Sequence, residues 1–287
     1  MNSERTNDEG RDIRWAAIQT DDAGGYADAI EDIYRDRLDA IVLRQSFPAG
    51  PAAHALRRIR DNDGIPWLRP NRTGPNADIR VLGIAATPSF ENPQGPGTDT
   101  YFDNVEFYEQ ATDGLFEADF SVARCIEGLL GRISGGRPVE RLVNTDGRVF
   151  AACSVRSLPE GQCIIVHNDY GHIELPIYAD VVSALDRAIT LSFFAVLQAP
   201  ESGGRLFVHG VTDSDDVPRL PGGFPDGEAI RRRYKYHAFD LGAGDVIVFG
   251  AGKFYHHVEP VGGPRPRVTL GGFLALSSDR RKVLYWN

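Results

Sequence analysis

An α+β fold is what this sequence predicts: a mainly helical N-terminal section leading into a β-rich half built as a sandwich or barrel. Three observations predict it. Up to about residue 148 apolar residues recur at helical spacing, whereas beyond it they fall into many short runs. Gly and Pro punctuate those runs, and many short strands with frequent turns mark a sandwich or barrel. No long low-complexity linker divides the two textures, and 287 residues with 42% hydrophobic content can bury a substantial core as one unit. The expected organisation is a mobile polar tail at 1–12 and a single domain at 13–287, helical over 13–148 and with its β core at 149–287.

From residue 26 to about 38, the spacing of Ile30, Ile33 and Leu38 predicts an amphipathic helix running into a short strand at 40–43. Pro51 suits the start of a second helix through Ala55, Leu56 and Ile59. Residues 63–78, rich in Pro, Gly and Asn, are expected as loop before a strand at 80–84. Helix returns at 100–112 and at 116–133, where Phe116, Phe120, Ala123, Ile126, Leu130 and Ile133 keep i, i+3 or i+4 spacing until Gly135 and Gly136 end it. Their apolar stripes are packing faces that buttress a sheet. Strands are expected at 149–155, 163–166, 190–197, 206–208, 246–249, 255–258, 267–276 and 282–286. Two long connections, 170–188 and 211–234, would border the mouth of the β core, where binding and gating groups usually sit.

Charge and cysteine usage narrow the function classes. Against 40 acidic side chains there are 31 basic ones, a net charge of −9, which disfavours nonspecific nucleic-acid or anionic-membrane binding. The run Arg231-Arg232-Arg233 is expected as a solvated face. Cys125, Cys153 and Cys163 form no C-x-x-C pair and are expected as buried thiols of a reducing compartment. With no secretory signal and no membrane-length apolar run, the expected location is cytoplasmic. Neither a Gly-x-Ser-x-Gly elbow, a P-loop nor a His-Glu-x-x-His pair is present.

Within the β-rich half, His167-Asn168-Asp169 closes the apolar run that begins at Cys163. A strand points alternate side chains to one face, so imidazole and carboxylate are expected to look into one interior. They would supply two of the three ligands of a non-haem iron(II) site. Downstream, a turn and apolar strand over 241–249 precede Tyr255-His256-His257-Val258-Glu259-Pro260-Val261 and then Arg265-Pro266-Arg267-Val268-Thr269-Leu270. His256 and His257 are adjacent, so a strand turns them to opposite faces, and periodicity alone does not choose between them. Arg265 and Arg267 share a face, and Thr269, two residues on, lets Arg267 offer a guanidinium and a hydroxyl together.

In these motifs, and in Glu201-Ser202-Gly203-Gly204-Arg205-Leu206, the stretch 149–276 resembles the double-stranded β-helix (jelly-roll/cupin-like) core of the iron(II)/2-oxoglutarate-dependent oxygenases. It is most similar to bacterial small-molecule hydroxylases, such as those acting on N-acyl amino acids, and to carrier-independent halogenases. The resemblance implies Fe(II) held by His167, Asp169 and His256, with His256 selected over His257 because one residue separates it from Val258-Glu259-Pro260-Val261. It implies 2-oxoglutarate anchored by Arg267 and Thr269, with dioxygen consumed and succinate and carbon dioxide released. Family halogenases carry a small residue where Asp169 stands, so the carboxylate favours hydroxylation, or another outcome of hydrogen abstraction. A small-molecule substrate is expected, with His172, Glu174, Arg156 and Tyr178 as candidate contacts. His54 and His209 are expected to be structural, and no motif surrounds His237. Two other readings stand beside this one: a cupin-type metal oxygenase that needs no 2-oxoglutarate, and a non-catalytic metal-binding sensor module.

Overall fold

Runs with no polar side chain to offer water become the middle of a sheet. Ala40-Ile41-Val42-Leu43 and Val246-Ile247-Val248-Phe249 are buried at every position, as strands covered on both faces must be. A computed structural model describes residues 9–19, 24–62, 64–69, 77–84, 97–170, 172–187, 189–221, 223 and 225–287, and every structural statement concerns these.

The first half runs β1 (Trp15–Ile18), α1 (Ala29–Tyr34), β2 (Ala40–Leu43), α2 (Ala49–Asp61), β3 (Arg80–Leu82), α3 (Thr98–Asp113), α4 (Val122–Gly131) and β4 (Val139–Arg141). The second runs β5 (Ser154–Leu158), β6 (Ile164–His167), β7 (Leu191–Gln198), β8 (Ser202–Gly203), β9 (Leu206–Thr212) and α5 (Gly227–Arg233). It closes with β10 (Tyr236–Phe239), β11 (Val246–Phe249), β12 (Phe254–Val258), β13 (Val261–Gly262), β14 (Arg267–Leu276) and β15 (Val283–Trp286).

Nine strands form a large mixed sheet in the order β1-β2-β11-β7-β14-β15-β4, with β5 joining at β14 and β3 at β5. A second, antiparallel sheet has the order β10-β9-β12-β6, and β8 and β13 make a two-stranded ribbon. The two main sheets share an apolar cluster in which Val42, Ile247 and Phe249 of the large sheet meet Leu206, Val208 and Val258 of the small one. On its other face the large sheet packs Val248, Val268 and Leu270 against Ile30, Ala55, Ile126 and Leu130 of the helices. Helices, large sheet and small sheet thus form three layers, and α5 covers the outside of the small sheet through Ile230, Val166 and Tyr255.

The mainly helical section expected over 13–148 contributes β1, β2, β3 and β4 to the same sheet as the later strands, so the change of texture marks no boundary in the fold. Of the tail expected at 1–12, residues 1–8 lie outside the described residues. The other four are held: the Arg11 N–H donates to the Gly210 carbonyl at 3.0 Å, and its guanidinium grips Asp39 at 2.6 and 2.7 Å. The helix expected over 116–133 starts later, because the Ser121 hydroxyl accepts from the Arg124 N–H at 3.3 Å and caps α4. Phe116 and Phe120 precede that cap and pack on Phe47 from a turn. The connection 211–234, expected as loop, contains α5, and the strand expected at 149–155 is shifted to Ser154–Leu158. No helix among the described residues is long and apolar enough to cross a membrane.

Strand alternation on β14 sorts its side chains between the two faces of the large sheet. Val268 and Leu270 enter the helix-side core, so Arg267, Thr269 and Gly271 point between the sheets. Gly271 is required there by space: a Cβ would lie 2.2 Å from the Phe193 carbonyl oxygen and 2.6 Å from the Phe194 Cβ. Gly271→Ala is expected to destabilise the protein by about 1–3 kcal/mol through that overlap, read as a lower urea midpoint with unchanged slope.

Candidate metal centre

The site is built where β6 meets β12. His167 stands opposite His256 in the antiparallel ladder, but Val258 pairs with Ile164 rather than with Ile165. One extra residue in β6 makes a bulge, which lets Ile164 and His167 both face inward. Val166 turns outward to α5, and Ile165 is left exposed. β6 ends at His167, so Asp169 does not reach the interior by strand alternation, as the sequence suggested. It comes from the following turn, pinned by its N–H donating to the Ala251 carbonyl at 2.9 Å.

His167, Asp169 and His256 form the cluster of the described residues able to hold a metal ion, with donor atoms all within 4.8 Å of one another. His167 Nε2 lies 3.9 Å from Asp169 Oδ1, and His256 Nε2 lies 3.9 Å from Asp169 Oδ2. Each imidazole is oriented from behind. His167 Nδ1 is 2.8 Å from the Ile165 carbonyl and His256 Nδ1 is 3.0 Å from the Phe254 carbonyl. A carbonyl only accepts, so both Nδ1 atoms carry the proton and both Nε2 lone pairs face the cluster bare. Burial pushes His256 down to about 4, with His167 adding to the effect, so its ring is neutral and ready to ligate at neutral pH. Burial would raise the Asp169 carboxyl, but His256, His167, His172 and the Ser192 hydroxyl outweigh it and hold the group below its ordinary range. Ser192 Oγ donates to Asp169 Oδ2 at 3.1 Å, which fixes the carboxylate's rotation. Two imidazoles and one carboxylate with converging donor atoms suit a six-coordinate divalent ion such as Fe(II).

His257 points the other way. Its Nδ1 meets His209 Nε2 at 3.0 Å, and Phe207 stacks on its ring at 4.7 Å. His209 is fully buried in that pair, His54 Nδ1 lies 3.5 Å from the Glu117 carboxylate, and His237 packs on Trp15 at 4.7 Å, all away from the cluster.

Arg267 and Thr269 lie on the interior face, both buried. The Arg267 guanidinium rests on the Phe194 ring at 5.0 Å and makes no hydrogen bond or ion pair with any described residue. Burial, and then the nearby charge of Arg156, lower its pKa to about 9. Arg265, expected to share its face, lies outside β14, exposed, and donates to the Pro200 carbonyl at 3.1 Å.

Of the expected substrate contacts, Arg156 stands opposite Thr269 in the β5–β14 ladder and so shares the interior face. His172 is buried close enough to Asp169 to feel its charge, and its ring lies 4.2 Å from Phe273. Tyr178 is buried behind it, its hydroxyl shared between His172 Nε2 at 2.9 Å and the Trp286 indole N–H at 3.0 Å. It supports His172 rather than facing the open space. Glu174 lies on the surface beside Arg187 at 3.6 Å, outside the site. Ser192 and Phe194 escaped the sequence reading. A serine in phase with Phe194 and Val196 in an otherwise apolar strand was the available signal.

The two-sheet fold and its paired histidines with a carboxylate define a class, proteins whose sheets enclose a non-haem metal centre. A family model described as carrier-protein-independent halogenase WelO5 matches residues 12–287. The chain belongs to that family, within the iron(II)/2-oxoglutarate-dependent oxygenase superfamily. Among solved structures it is similar to an N-substituted L-amino acid dioxygenase from Burkholderia ambifaria AMMD, with 15% identity, TM-score 0.54 and 91% of each chain covered. The same dioxygenase in complex with alpha-KG matches with 16% identity and TM-score 0.51, again over 91% of each chain. At these identities the likeness is one of fold. No curated protein matches the sequence.

Co(II) or Fe(II) should raise the unfolding temperature of chelator-treated protein, and His167→Ala and His256→Ala should each abolish the rise, read by scanning fluorimetry. The metal-free protein should lose stability on acidification. Burial holds His172, His256 and His257 at about 4 and His209 at about 3, below the roughly 6.5 of an unfolded imidazole. Between those values the unfolded chain binds more protons, so stability is complete above about pH 6.5 and falls progressively towards pH 4. Urea midpoints measured across that window should decline, and a flat profile would contradict the neutral, buried assignment.

Proposed function

We propose that this protein is an Fe(II)/2-oxoglutarate-dependent dioxygenase that hydroxylates a small molecule, releasing succinate and carbon dioxide. In this reading the two main sheets are the two walls of a double-stranded β-helix, with the centre between them. His167, Asp169 and His256 hold Fe(II), and the Asp169 carboxylate within the cluster carries the assignment. Arg267, with the Thr269 hydroxyl beside it, binds the distal carboxylate of 2-oxoglutarate. A buried guanidinium whose partner is only an aromatic face suits a forked, charge-assisted pair with an incoming carboxylate. Held by these residues, Fe(II) and 2-oxoglutarate would supply, with dioxygen, the oxidising chemistry for a C–H bond of the substrate.

The protein's own residues do the positioning. Ile165 and Phe254 carbonyls set the ring planes of the two histidines, and Ser192 sets the carboxylate. Phe249 stands edge-on to His256 at 5.0 Å and Phe194 lies under Arg267, so apolar rings back the inner side of the cluster and of the anion clamp, while His167 stays open to solvent.

Membership in a halogenase family supports a second reading, chlorination. Asp169 speaks against it, because as a metal ligand its carboxylate would take the place that a halide needs. A 2-oxoglutarate-independent reaction would leave Arg267 buried without an anion, which disfavours the cupin-type alternative.

Asp169→Ala should stay folded and lose at least about 100-fold of substrate-dependent succinate formation, as expected when one metal ligand is removed. Wild-type succinate production by that variant would overturn the ligand assignment, and a chlorinated product from the unaltered protein would establish the second reading. Arg267→Ala should raise the 2-oxoglutarate requirement about 10- to 100-fold, the worth of a charge-assisted pair, while Arg265→Ala leaves it nearly unchanged. The reverse order would show the cation misassigned.

A further inference from the structure

The proposed reaction uses one interior cation and leaves another. Arg156 on β5 is paired with Thr269 of β14 on one side and with Val81 of β3 on the other. Directly paired residues of an antiparallel ladder point to the same face. Val81 lies in the cluster between the sheets, while Val155, the preceding residue on β5, enters the helix-side core. Both observations aim Arg156 into the interior that holds the metal cluster. It is near enough to Asp169 and to Arg267 for each to feel its charge.

No hydrogen bond, ion pair or ring contact joins the Arg156 guanidinium to any described residue. Arg156 is exposed, yet neighbouring protein desolvates it enough to lower its pKa, with Asp169 opposing the effect. Both facts fit a placement at the solvent-open edge of the space between the sheets. A guanidinium held there for structure would be paired with a carboxylate or carbonyl, whereas this one, unpaired and open to solvent, is free to take an incoming anion.

Charge counting identifies what it awaits, and this step rests on the function proposed for the site. A divalent ion, the Asp169 carboxylate, a 2-oxoglutarate dianion and Arg267 are together neutral. Arg156 then adds one positive charge beside the reacting position. We infer that Arg156 anchors a single carboxylate group of the substrate, so that the protein takes small monoanionic molecules and orients them above the metal by a forked guanidinium pair. The C1-carboxylate of 2-oxoglutarate is the other source of the same chemistry, but pairing with it would leave the surplus charge in place.

The test uses the anaerobic Fe(II)- and 2-oxoglutarate-loaded protein, whose charge-transfer absorbance responds to a molecule seated beside the metal. The probes are isosteric pairs: propionate, isobutyrate and benzoate against propionamide, isobutyramide and benzamide. The carboxylates should perturb the band and raise the unfolding temperature at concentrations up to about 10 mM, a range suited to one ionic anchor, and the amides should not. Arg156→Gln should weaken the carboxylate response at least tenfold and leave 2-oxoglutarate titration of the band unchanged, and Arg156→Lys should restore part of it. Equal responses to acids and amides, no response to the acids, or an unaltered response in Arg156→Gln would each overturn the inference. So would a tenfold weaker 2-oxoglutarate titration in Arg156→Gln without any carboxylate effect, which would assign the arginine to the C1-carboxylate. If the unaltered protein forms no 2-oxoglutarate band at all, the proposed function itself fails, and this inference falls with it.

Discussion

The bulged pairing of β6 with β12 is the constraint on which the rest of the structure depends. A regular ladder would send one of Ile164 and His167 to the wrong face. One extra residue lets an edge strand give an apolar side chain to the core, another to α5 and an imidazole to the interior within four positions. Both histidines then use a backbone carbonyl two residues earlier to fix their tautomers, so the ligand geometry is set by the same main chain that forms the sheet. Only Asp169 depends on side-chain support, and it receives it from Ser192 on the facing sheet. The centre therefore needs both sheets correctly docked before its three donors converge.

That docking is expensive in charge. Between the sheets stand Asp169, Arg156 and Arg267, and the two guanidiniums are without counter-ions of their own among the described residues. Desolvation and repulsion lower the Arg267 pKa to about 9, a strain held by the large hydrophobic clusters on both faces of the nine-stranded sheet. Such an interior is better matched to anions than to water, which is why its ligand chemistry can be argued from the residues themselves.

Much of this was legible in the sequence, and the parts that were not share a cause. Arg267–Leu276 and Val246–Phe249 were delimited correctly because apolar runs bounded by Gly and Pro give sharp ends. Residue type and spacing marked His167 and Asp169, only the family resemblance chose His256 over His257, and the structure brings the three side chains together. The route by which Asp169 arrives was misread, since Cys163-Ile164-Ile165-Val166 is apolar throughout and period two cannot reveal a bulge within it. The early strands β1 and β4 were hidden in a section whose helices dominate the periodicity, and their membership of the sheet rests on pairing partners more than 20 residues or more than 100 residues away. Glu174 and Tyr178 drew attention only as polar residues near the motif. One turned to solvent and the other to the core because the connection after Asp169 coils into short helical turns.

The proposed reaction departs from the family's at one side chain. A halogenase family model covers the chain from residue 12 to its last residue, yet the turn after β6 carries a carboxylate rather than a small residue. That carboxylate is integrated into its surroundings: the Ala251 carbonyl holds its backbone, Ser192 holds one oxygen, and two imidazoles lie within 3.9 Å of its two oxygens. A residue kept only by descent would not require a serine on the facing sheet to point at it. These contacts hold the carboxylate in place beside the two imidazoles, as the proposed role of Asp169 as a metal ligand requires. The chain thus shares its family with the halogenases, while the proposed hydroxylation rests on a local feature, the carboxylate that Ser192 and Ala251 hold in place.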